Sequence, residues 1–550
     1  MSPTDETTAP DHEVLVIGAG VSGLYQLHRL RELGIDVHVI ERADDLGGTW
    51  YQNRYPGCRF DSESYTYGYS FSDEILAEWS WSEHFAGQDE TLRYLNFVAD
   101  KLDLRRDIEF GCTVESLTFD DATSTWTTRL ADDRTIRSRF LVTAIGVLSA
   151  PTLPHYEGMD SFRGDSFHTF DWPHEPVDLV GKRVAVIGTG ATGVQVISAI
   201  AEQVGHLTVY QRRPNWCAPL HNRPISEQEM DAIRADYDRI FARCADTPGG
   251  FLHGPDPRSF HDLAADERRE FWERLYASPG FEKWVGNFRE IFMDEDANAE
   301  FSEFVADKIR ERVHDPAVAE KLIPRDHGFG VQRVPLETRY YEAYNLPHVD
   351  LVDIEETPIV EITEQGVRTS DTEREFDVIV YATGFDAVTG AFDRIEITGA
   401  DGRNLRDVWA AADPDTYLGI FVHGFPNLFM IGGPQGSSST INFPRSIELT
   451  TDWITGLLRH VRDHGIERVE VTVEAQAAWA DEVRRWYERM LLRRAKSWFT
   501  GYNENIEGRD RMRHVMYNGG LPRYRKRLET AAAEGYPTLA MTRSGSRVDA

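Results

Sequence analysis

Two stretches of the chain share one pattern, in which a short apolar run leads into a glycine-rich turn and then into helical periodicity. The first lies within residues 12–42 and the second within residues 181–214. Their apolar runs, 14–17 and 184–187, are continuous, as is typical of parallel strands buried on both faces. A second apolar run follows each helix, at 37–40 and at 207–210. The pattern predicts two Rossmann-like strand–turn–helix–strand units.

The first glycine-rich turn has the spacing of a dinucleotide site. Gly18, Gly20 and Gly23 stand as GxGxxG, in which the first glycine makes the turn, the second lets a pyrophosphate approach and the third lets helix and strand pack closely. Glu41 ends the second strand, where an acidic residue is expected to bond a ribose hydroxyl. We predict that this unit binds FAD.

The second turn repeats the spacing through Gly188, Gly190 and Gly193, but its second strand ends in a basic pair. An arginine at this position suits a 2′-phosphate, which would repel a carboxylate. Arg212 and Arg213 therefore favour NADPH as the ligand of this unit. The alternative is a solvated arginine pair on a surface turn.

Other segments indicate how the units are joined. Apolar runs at 140–151 and 377–386 flank the second unit and predict two crossings between domains. Residues 425–436 read as a strand and a glycine-rich turn suited to covering the flavin. Residues 225–330 have helical spacing with charged faces, so they predict a helical insertion, which forms either a wall of the substrate tunnel or simple packing.

The predicted fold class is α/β, with two Rossmann-like dinucleotide-binding domains and a helical insertion. The first part of the FAD domain is expected at residues 1–145, and the first part of the NADP domain at 146–224. The insertion at 225–330 is followed by the second part of the NADP domain at 331–385. Residues 386–550 complete the FAD domain and include a C-terminal closing loop.

Charge and composition narrow the partners. The 550 residues include 59 basic and 91 acidic side chains, a net charge of −32 that argues against binding nucleic acid or an anionic membrane. The four cysteines form no CxxC pair, which disfavours disulfide, zinc and dithiol sites, and we expect no metal. No apolar run approaches the roughly 18 residues of a membrane span. We expect a soluble, cytoplasmic protein, and the sequence indicates no oligomeric state.

Two longer motifs identify a family. Phe162, Gly164, His168, Trp172 and Pro173 match FxGxxxHxxxW followed by proline. A second motif, GGxWxxxxYPGxxxD, is matched by the segment "GGTWYQNRYPGCRFD" at 47–61. In both motifs the chain resembles the Baeyer–Villiger monooxygenases, which belong to the class B flavoprotein monooxygenases.

The resemblance implies a reaction in which NADPH reduces FAD and O₂ adds to give a peroxyflavin. The peroxide attacks a ketone, and the adduct rearranges to an ester or lactone. By the match of "VQRVPLETRYYEAYN", Arg333 is the catalytic arginine, which stabilises the peroxide and adduct anions. Asp61 would hold its guanidinium.

The resemblance also implies cofactor contacts and one departure. Many relatives carry a lysine where this chain has Gln332, so Arg212 and Arg213 take more of the 2′-phosphate and a strict preference for NADPH is not assured. Trp498 lies in a segment similar to the loop that closes over NADP. The further cofactor contacts that we expect are Gly48, Thr49, Trp50, Asp61, Tyr67, Val114, Thr192 and Gln195.

His168 and Phe443 receive separate predictions. His168 lies in a connection between the two predicted domains, so we expect it to bond a backbone group and to transmit domain rotation, with the Trp172 ring docking the linker. Residues 437–444 are expected near the substrate pocket, with Phe443 as a contact.

Three other functions stay open on the sequence. A flavin monooxygenase that oxidises nitrogen or sulfur would use the same cofactors. A flavin-dependent NADPH reductase would pass electrons to a quinone or a thiol. A non-catalytic flavin-binding protein would need only one of the two glycine-rich turns.

Overall fold

The computed structural model describes residues 9–436 and 440–543. The polar N-terminal residues 1–8 and the predicted substrate-pocket residues 437–439 lie outside the described residues. The strands, in chain order, are β1 His12–Ile17, β2 Val37–Ile40, β3 Ile108–Glu109, β4 Val114–Asp120, β5 Thr125–Leu130, β6 Thr135–Thr143, β7 Asp165–His168, β8 Arg183–Ile187, β9 His206–Gln211, β10 Ala218–Pro219, β11 Leu336–Glu337, β12 Val349–Asp353, β13 Ile359–Ile362, β14 Gly366–Thr369, β15 Glu373–Glu375, β16 Val378–Tyr381, β17 Glu396–Thr398, β18 Leu428–Met430, β19 Ile466–Val471 and β20 Leu539–Arg543.

The helices fall into three groups along the chain: one around the first sheet, one in the middle and one toward the C-terminal end. In chain order they are α1 Val21–Glu32, α2 Thr49–Gln52, α3 Ser64–Tyr67, α4 Asp73–Glu78, α5 Gln88–Lys101, α6 Ala191–Ile200, α7 Glu227–Ala235, α8 Tyr237–Asp246, α9 Ala265–Ala277, α10 Glu282–Val285, α11 Glu295–Arg312, α12 Pro316–Leu322, α13 Tyr340–Ala343, α14 Gly390–Asp393, α15 Leu405–Ala411, α16 Phe443–Asp463, α17 Val473–Glu488 and α18 Leu521–Ala533. The 3-10 helices are Arg105–Asp107, Met159–Ser161, Thr169–Asp171, Phe260–Asp262, Arg289–Phe292, Ala400–Gly402, Leu491–Arg494 and Trp498–Thr500.

The larger sheet is built around β1. Its strands follow the order β17-β4-β5-β6-β1-β2-β3, and β18 pairs with β6. The pairs β1–β2, β1–β6 and β6–β18 are parallel, whereas β4–β5 and β5–β6 are antiparallel. All four side chains from Val14 to Ile17 are buried, as expected for a strand covered on both faces.

The second sheet is entirely parallel, in the order β12-β9-β8-β16-β7. Helix α6 follows β8 just as α1 follows β1, and each begins directly after the second glycine of its turn, Gly20 or Gly190, which is its N-cap. The predicted α/β class with two Rossmann-like units is therefore confirmed. The residues between β10 and β11 hold helices α7–α12, in agreement with the predicted helical insertion.

The chain passes between the two sheets twice, and the two passages run side by side. Pro151, on the outgoing passage, forms a β-bridge with Phe385 on the returning one. Thr152 N donates to Gly384 O at 3.0 Å, and Asp386 N donates to Ala150 O at 2.8 Å. The runs predicted as crossings thus hydrogen-bond to each other.

The segment around His168 differs from the prediction of a linker. Residues Asp165–His168 form β7, the edge strand of the second sheet, in register with Val378–Tyr381 of β16. Gly164 precedes this strand, and a Cβ at that position would lie 2.4 Å from Asp377 O, so only glycine fits. The motif therefore adds a strand to the second sheet.

The glycines of the second turn differ in what surrounds them, which predicts different effects on stability. A Cβ on Gly193 would lie 2.2 Å from Gly188 O, whereas a Cβ on Gly190 would meet no atom within 4 Å. We expect Gly193→Ala to lower the free energy of unfolding by about 1–3 kcal/mol through overpacking. Gly190→Ala should leave it unchanged. Thermal unfolding followed by circular dichroism compares the two variants, and equal midpoints would contradict this assignment of the glycines.

Candidate active site

The first glycine-rich turn is shaped by close backbone contacts. Gly18 has φ +106°, and a Cβ on it would lie 2.6 Å from Ala144 O. Gly23 packs its Cα face against Gly18 O, where a Cβ would lie at 1.7 Å. Gly20 faces Gly48, and a Cβ on Gly20 would lie 3.4 Å from Gly48 Cα. The glycine backbones of two loops therefore face each other at the N-terminus of α1.

A cavity of about 550 Å³ opens at this turn. Its walls are lined by predicted site residues from the beginning, middle and end of the chain. These are Gly18, Gly20, Glu41, Gly48, Thr49, Trp50, Asp61, Tyr67, Val114, Arg333, Phe443 and Trp498. Side chains that the motifs place far apart in sequence thus share one wall.

The surroundings of this cavity fit a flavin dinucleotide. Helix α1 has no side-chain cap at Gly20, so its first N–H groups and positive dipole end are free to meet a pyrophosphate. Farther along the wall, Trp50 Nε1 donates to Tyr67 Oη at 3.1 Å, and the Phe60 and Tyr67 rings stack with centroids 4.2 Å apart. The cavity therefore offers a polar end for phosphates and an aromatic wall for a ring system.

Glu41 is held by the backbone. Its Oε2 accepts from Ala19 N at 2.8 Å, and its Oε1 accepts from Ala43 N at 2.9 Å. The carboxylate thus braces the glycine-rich turn, and it lines the cavity at the same time. Its bond to a ribose hydroxyl stays a prediction.

An ion pair defines the other end of the cavity. Arg333 Nη2 lies 2.6 Å from Asp61 Oδ2, and Leu336 N donates to the same oxygen at 3.4 Å. The Arg333 guanidinium also donates to Val334 O and lies over the Phe281 ring, 4.8 Å from its centroid. Side-chain exposure is 26% for Arg333 and 4% for Asp61, so the cation reaches the cavity while its counter-ion is buried.

The environment of Asp61 has opposing effects on its charge. Burial raises the pKa of the Asp61 carboxyl, and the Arg333 cation acts in the opposite direction. Its Oδ1 has no hydrogen-bond partner among the described residues. The carboxylate is therefore held chiefly through one oxygen, which orients the guanidinium.

A second cavity, of about 250 Å³, opens at the second glycine-rich turn. Gly188, Gly190, Arg212, Arg213 and Gln332 all line it. Helix α6 also lacks a side-chain cap, and the space beside Gly190 is open. A phosphate-bearing dinucleotide fits these donors. Gln332 and Arg333 are neighbours in sequence, yet Gln332 lines this cavity and Arg333 the first.

Four predicted cofactor residues lie away from the walls. Gly23, Thr192, Gly193 and Gln195 are not among the described residues that line these two cavities. Gln195 Oε1 instead accepts from Tyr55 Oη at 2.8 Å, and its Nε2 donates to Arg59 O at 3.0 Å. Gln195 thus ties α6 to the loop that carries Asp61.

His168 and Trp172 of the FxGxxxHxxxW motif line neither cavity. His168 is buried, and its Nδ1 accepts from Phe170 N at 3.1 Å, which caps the 3-10 helix Thr169–Asp171. The Trp172 ring packs on Phe167 with centroids 5.2 Å apart, and Phe162 packs in the core of the second sheet. The bond to a backbone group agrees with the structural role predicted for His168. Phe170, next to this cap, lines the first cavity.

Several wall residues were missed by sequence reasoning. Phe251, Phe281 and Trp284 come from the helical insertion and line the first cavity beside Arg333. No motif spacing marks them. Arg42, which follows Glu41, also lines this cavity, and its position after the acidic residue was an available signal. Tyr156 and Asn215 add to the wall of the second cavity.

The described residues give no sign of a metal centre or a membrane span. Among residues 9–436 and 440–543 no group of three or more His, Cys, Asp or Glu side chains could hold a metal ion. In the same ranges no helix is long and apolar enough to cross a bilayer. The four cysteines are buried and free.

Comparison with known proteins places the chain in a family. Residues 11–223 match the model of the flavin-binding monooxygenase-like family. A 2-oxo-Δ³-4,5,5-trimethylcyclopentenylacetyl-CoA monooxygenase from Pseudomonas putida is 44% identical over 97% of this chain and 99% of its own length. A Baeyer–Villiger monooxygenase from Pseudooceanicola batsensis is 39% identical over 99% of this chain and 98% of its own.

A solved structure agrees in fold. The crystal structure of OTEMO in complex with FAD and NADP superposes with a TM-score of 0.93 at 44% identity, and the match covers 97% of this chain and 100% of that one. The chain therefore belongs to the Baeyer–Villiger monooxygenases of the flavin-binding monooxygenase-like family.

Proposed function

We propose that this enzyme is an FAD-containing, NADPH-dependent monooxygenase that inserts one oxygen atom of O₂ next to the carbonyl of a ketone, giving an ester or lactone. The observation that carries the proposal is the Arg333 guanidinium, fixed by Asp61 at 2.6 Å, in the same cavity as the first glycine-rich turn. A permanent cation thus lies in the cavity that fits the flavin.

The two cavities divide the cofactors between them. Gly18, Gly20 and Gly48 would hold the FAD phosphates, and Trp50 and Tyr67 would flank its rings. Arg212, Arg213 and Gln332 would meet the 2′-phosphate of NADPH. Bound FAD would supply the redox chemistry that couples NADPH to O₂.

Arg333 acts on the reacting ketone. Its guanidinium cannot lose its charge at working pH and presents several donors in a rigid fork. It stabilises the negative charge that develops on the ketone oxygen, because fixed donors pay no reorganisation cost when that charge forms. Asp61 is a positioning residue that sets the direction of the fork.

The walls around Arg333 keep the reacting atoms dry. Phe251, Phe281, Trp284, Phe443 and Trp498 place rings along the cavity. Excluding water strengthens the electrostatic action of Arg333 and limits side reactions. Trp498 comes from the C-terminal segment, so this part of the cavity wall is complete only when that segment packs against the cavity.

An apolar cyclic ketone is the substrate class that we propose. The relative from Pseudomonas putida is named for a 2-oxo-trimethylcyclopentenyl ring carried on acetyl-CoA, and the aromatic wall beside Arg333 suits an apolar ring of this kind. The net charge of −32 argues against nucleic acid as a partner. We propose a cytoplasmic location, where NADPH is supplied. Oxidation of sulfides is a side activity of the same site.

A ketone panel tests the function. We expect oxidation of NADPH to rise on adding cyclopentanone or cyclohexanone, and the lactone formed under ¹⁸O₂ to carry one labelled atom. A sulfide and a tertiary amine serve as comparison substrates. Release of hydrogen peroxide alone across the whole panel would contradict oxygen insertion, and exclusive turnover of the sulfide or amine would favour heteroatom oxidation.

Replacing the cavity cation should remove product formation but not the flavin. We expect Arg333→Ala to lower the rate of lactone formation by at least about 10²–10³-fold, because a fixed charge-stabilising donor is lost. Arg333→Lys should recover part of it, since a point charge replaces the fork. Arg274→Ala, which removes an exposed arginine of α9, is the matched control.

Flavin content is measured from the absorbance of each purified variant. Lactone formation by a flavin-loaded Arg333→Ala enzyme at the wild-type rate would rule out the assigned role.

Substitution of His168 tests whether its role is structural or catalytic. Removing its ring leaves Phe170 N without its acceptor, so we expect His168→Ala to lower the free energy of unfolding by about 1–3 kcal/mol. NADPH turnover and the yield of lactone per NADPH should fall together. Asn can accept from the N–H two residues on, so His168→Asn should restore much of both. Loss of oxygenation alone, with flavin reduction intact, would instead make His168 a catalytic group.

A further inference from the structure

Arg212 and Arg213, which follow β9, share one carboxylate. Glu504 Oε1 lies 2.9 Å from Arg212 Nη1 and 3.4 Å from Arg213 Nη2. Asn505 Oδ1 also accepts from Arg212 Nη1, at 3.1 Å. Two guanidinium groups that line the second cavity are therefore bridged by the segment that follows Trp498.

This segment is fixed from outside the second cavity. Asn503 Nδ2 donates to Phe385 O at 3.2 Å, and Asn503 N donates to Arg509 O at 2.8 Å. Arg509 pairs with Asp393, and its Nε lies 3.6 Å from Asp386 Oδ1. Because these anchors lie on and just after the returning passage of the chain, they hold Glu504 beside the arginines independently of any ligand.

A carboxylate and a phosphate compete for the same donors. Both are anionic acceptors that match the fork of a guanidinium. A phosphate monoester carries up to two charges and three acceptor oxygens, whereas a carboxylate carries one charge and two oxygens. Side-chain exposure is 43% for Arg212 and 38% for Glu504, so the pair forms in a water-like environment and is weak enough to be displaced.

We propose that Glu504 is a specificity-determining residue for the coenzyme, because it competes with the 2′-phosphate for Arg212 and Arg213. This inference rests on the proposed function, which assigns the two arginines to NADPH. Glu504 weakens the binding of ligands that carry a 2′-phosphate and leaves ligands without it unaffected. It therefore lowers the preference for NADPH over NADH below what the arginine pair alone would give.

Direct binding to the flavin-loaded enzyme tests the competition without turnover. Isothermal titration calorimetry measures the Kd of 2′,5′-ADP, which carries the 2′-phosphate, and of 5′-AMP, which differs from it only in lacking that phosphate. Glu504→Gln removes the charge and keeps the shape of the side chain. Glu507→Gln removes the same charge from an exposed glutamate of the same segment and is the matched control.

We expect Glu504→Gln to bind 2′,5′-ADP about twofold to thirtyfold more tightly than the wild type, the range given by two exposed ion pairs. Its Kd for 5′-AMP should not change, and Glu507→Gln should match the wild type with both ligands. An unchanged or weaker affinity of Glu504→Gln for 2′,5′-ADP would overturn the proposal. An equal gain in Glu507→Gln would overturn it too, since net charge would then be the cause.

The variant Arg212→Ala distinguishes a failure of the proposed competition by Glu504 from a failure of the proposed function. We expect it to remove most of the preference of the enzyme for 2′,5′-ADP over 5′-AMP. If the wild type shows no such preference and Arg212→Ala changes neither Kd, the assignment of the second cavity to NADPH is wrong. If the preference depends on Arg212 but not on Glu504, only the competition fails.

Discussion

The ion pair between Arg333 and Asp61 links parts of the chain that are 272 residues apart. Asp61 belongs to the loop after the first Rossmann unit, and Arg333 follows the helical insertion. Removing Arg333 would leave the buried Asp61 carboxylate without its counter-charge, which destabilises this part of the structure. Since Gln332 lines one cavity and Arg333 the other, this contact sets the geometry of both.

The aromatic rings of the insertion depend on the same contact. The Phe281 and Trp284 rings lie 4.8 Å and 5.9 Å from the Arg333 guanidinium carbon. A cation above an aromatic face gains electrostatically from the ring, more so where water is excluded. The insertion thus shapes the substrate end of the cavity, and Asp61 holds the cation at the place where these rings meet it.

Much of the fold was predictable because strands that are buried in a parallel sheet are uninterrupted runs of apolar residues. β2 was predicted with the observed bounds, and β1, β8 and β9 within two residues at either end. The strand β7 was not, because Asp165 and Ser166 are exposed at the edge of the sheet and carry no apolar signal. Only its register with β16 reveals it. The strand propensities of the residues carry no information about that tertiary pairing.

The candidate site was predictable where a motif fixes spacing, as at Gly18, Gly188 and Arg333. The rings of Phe251, Phe281 and Trp284 were not, since they reach the cavity through the packing of an insertion without characteristic spacing. Glu504 was likewise indistinguishable from other surface carboxylates, because its partners lie about 290 residues earlier, at Arg212 and Arg213.

The paired passages between the two sheets constrain how the molecule can bend. Because Pro151 and Phe385 are bridged and Thr152 bonds Gly384, the two passages behave as a short ribbon and not as two independent tethers. A ribbon bends easily about one axis across its width but resists sliding of one edge past the other. Any rotation of one sheet against the other would thereby be confined to a single hinge axis, which keeps the second cavity aligned with the first.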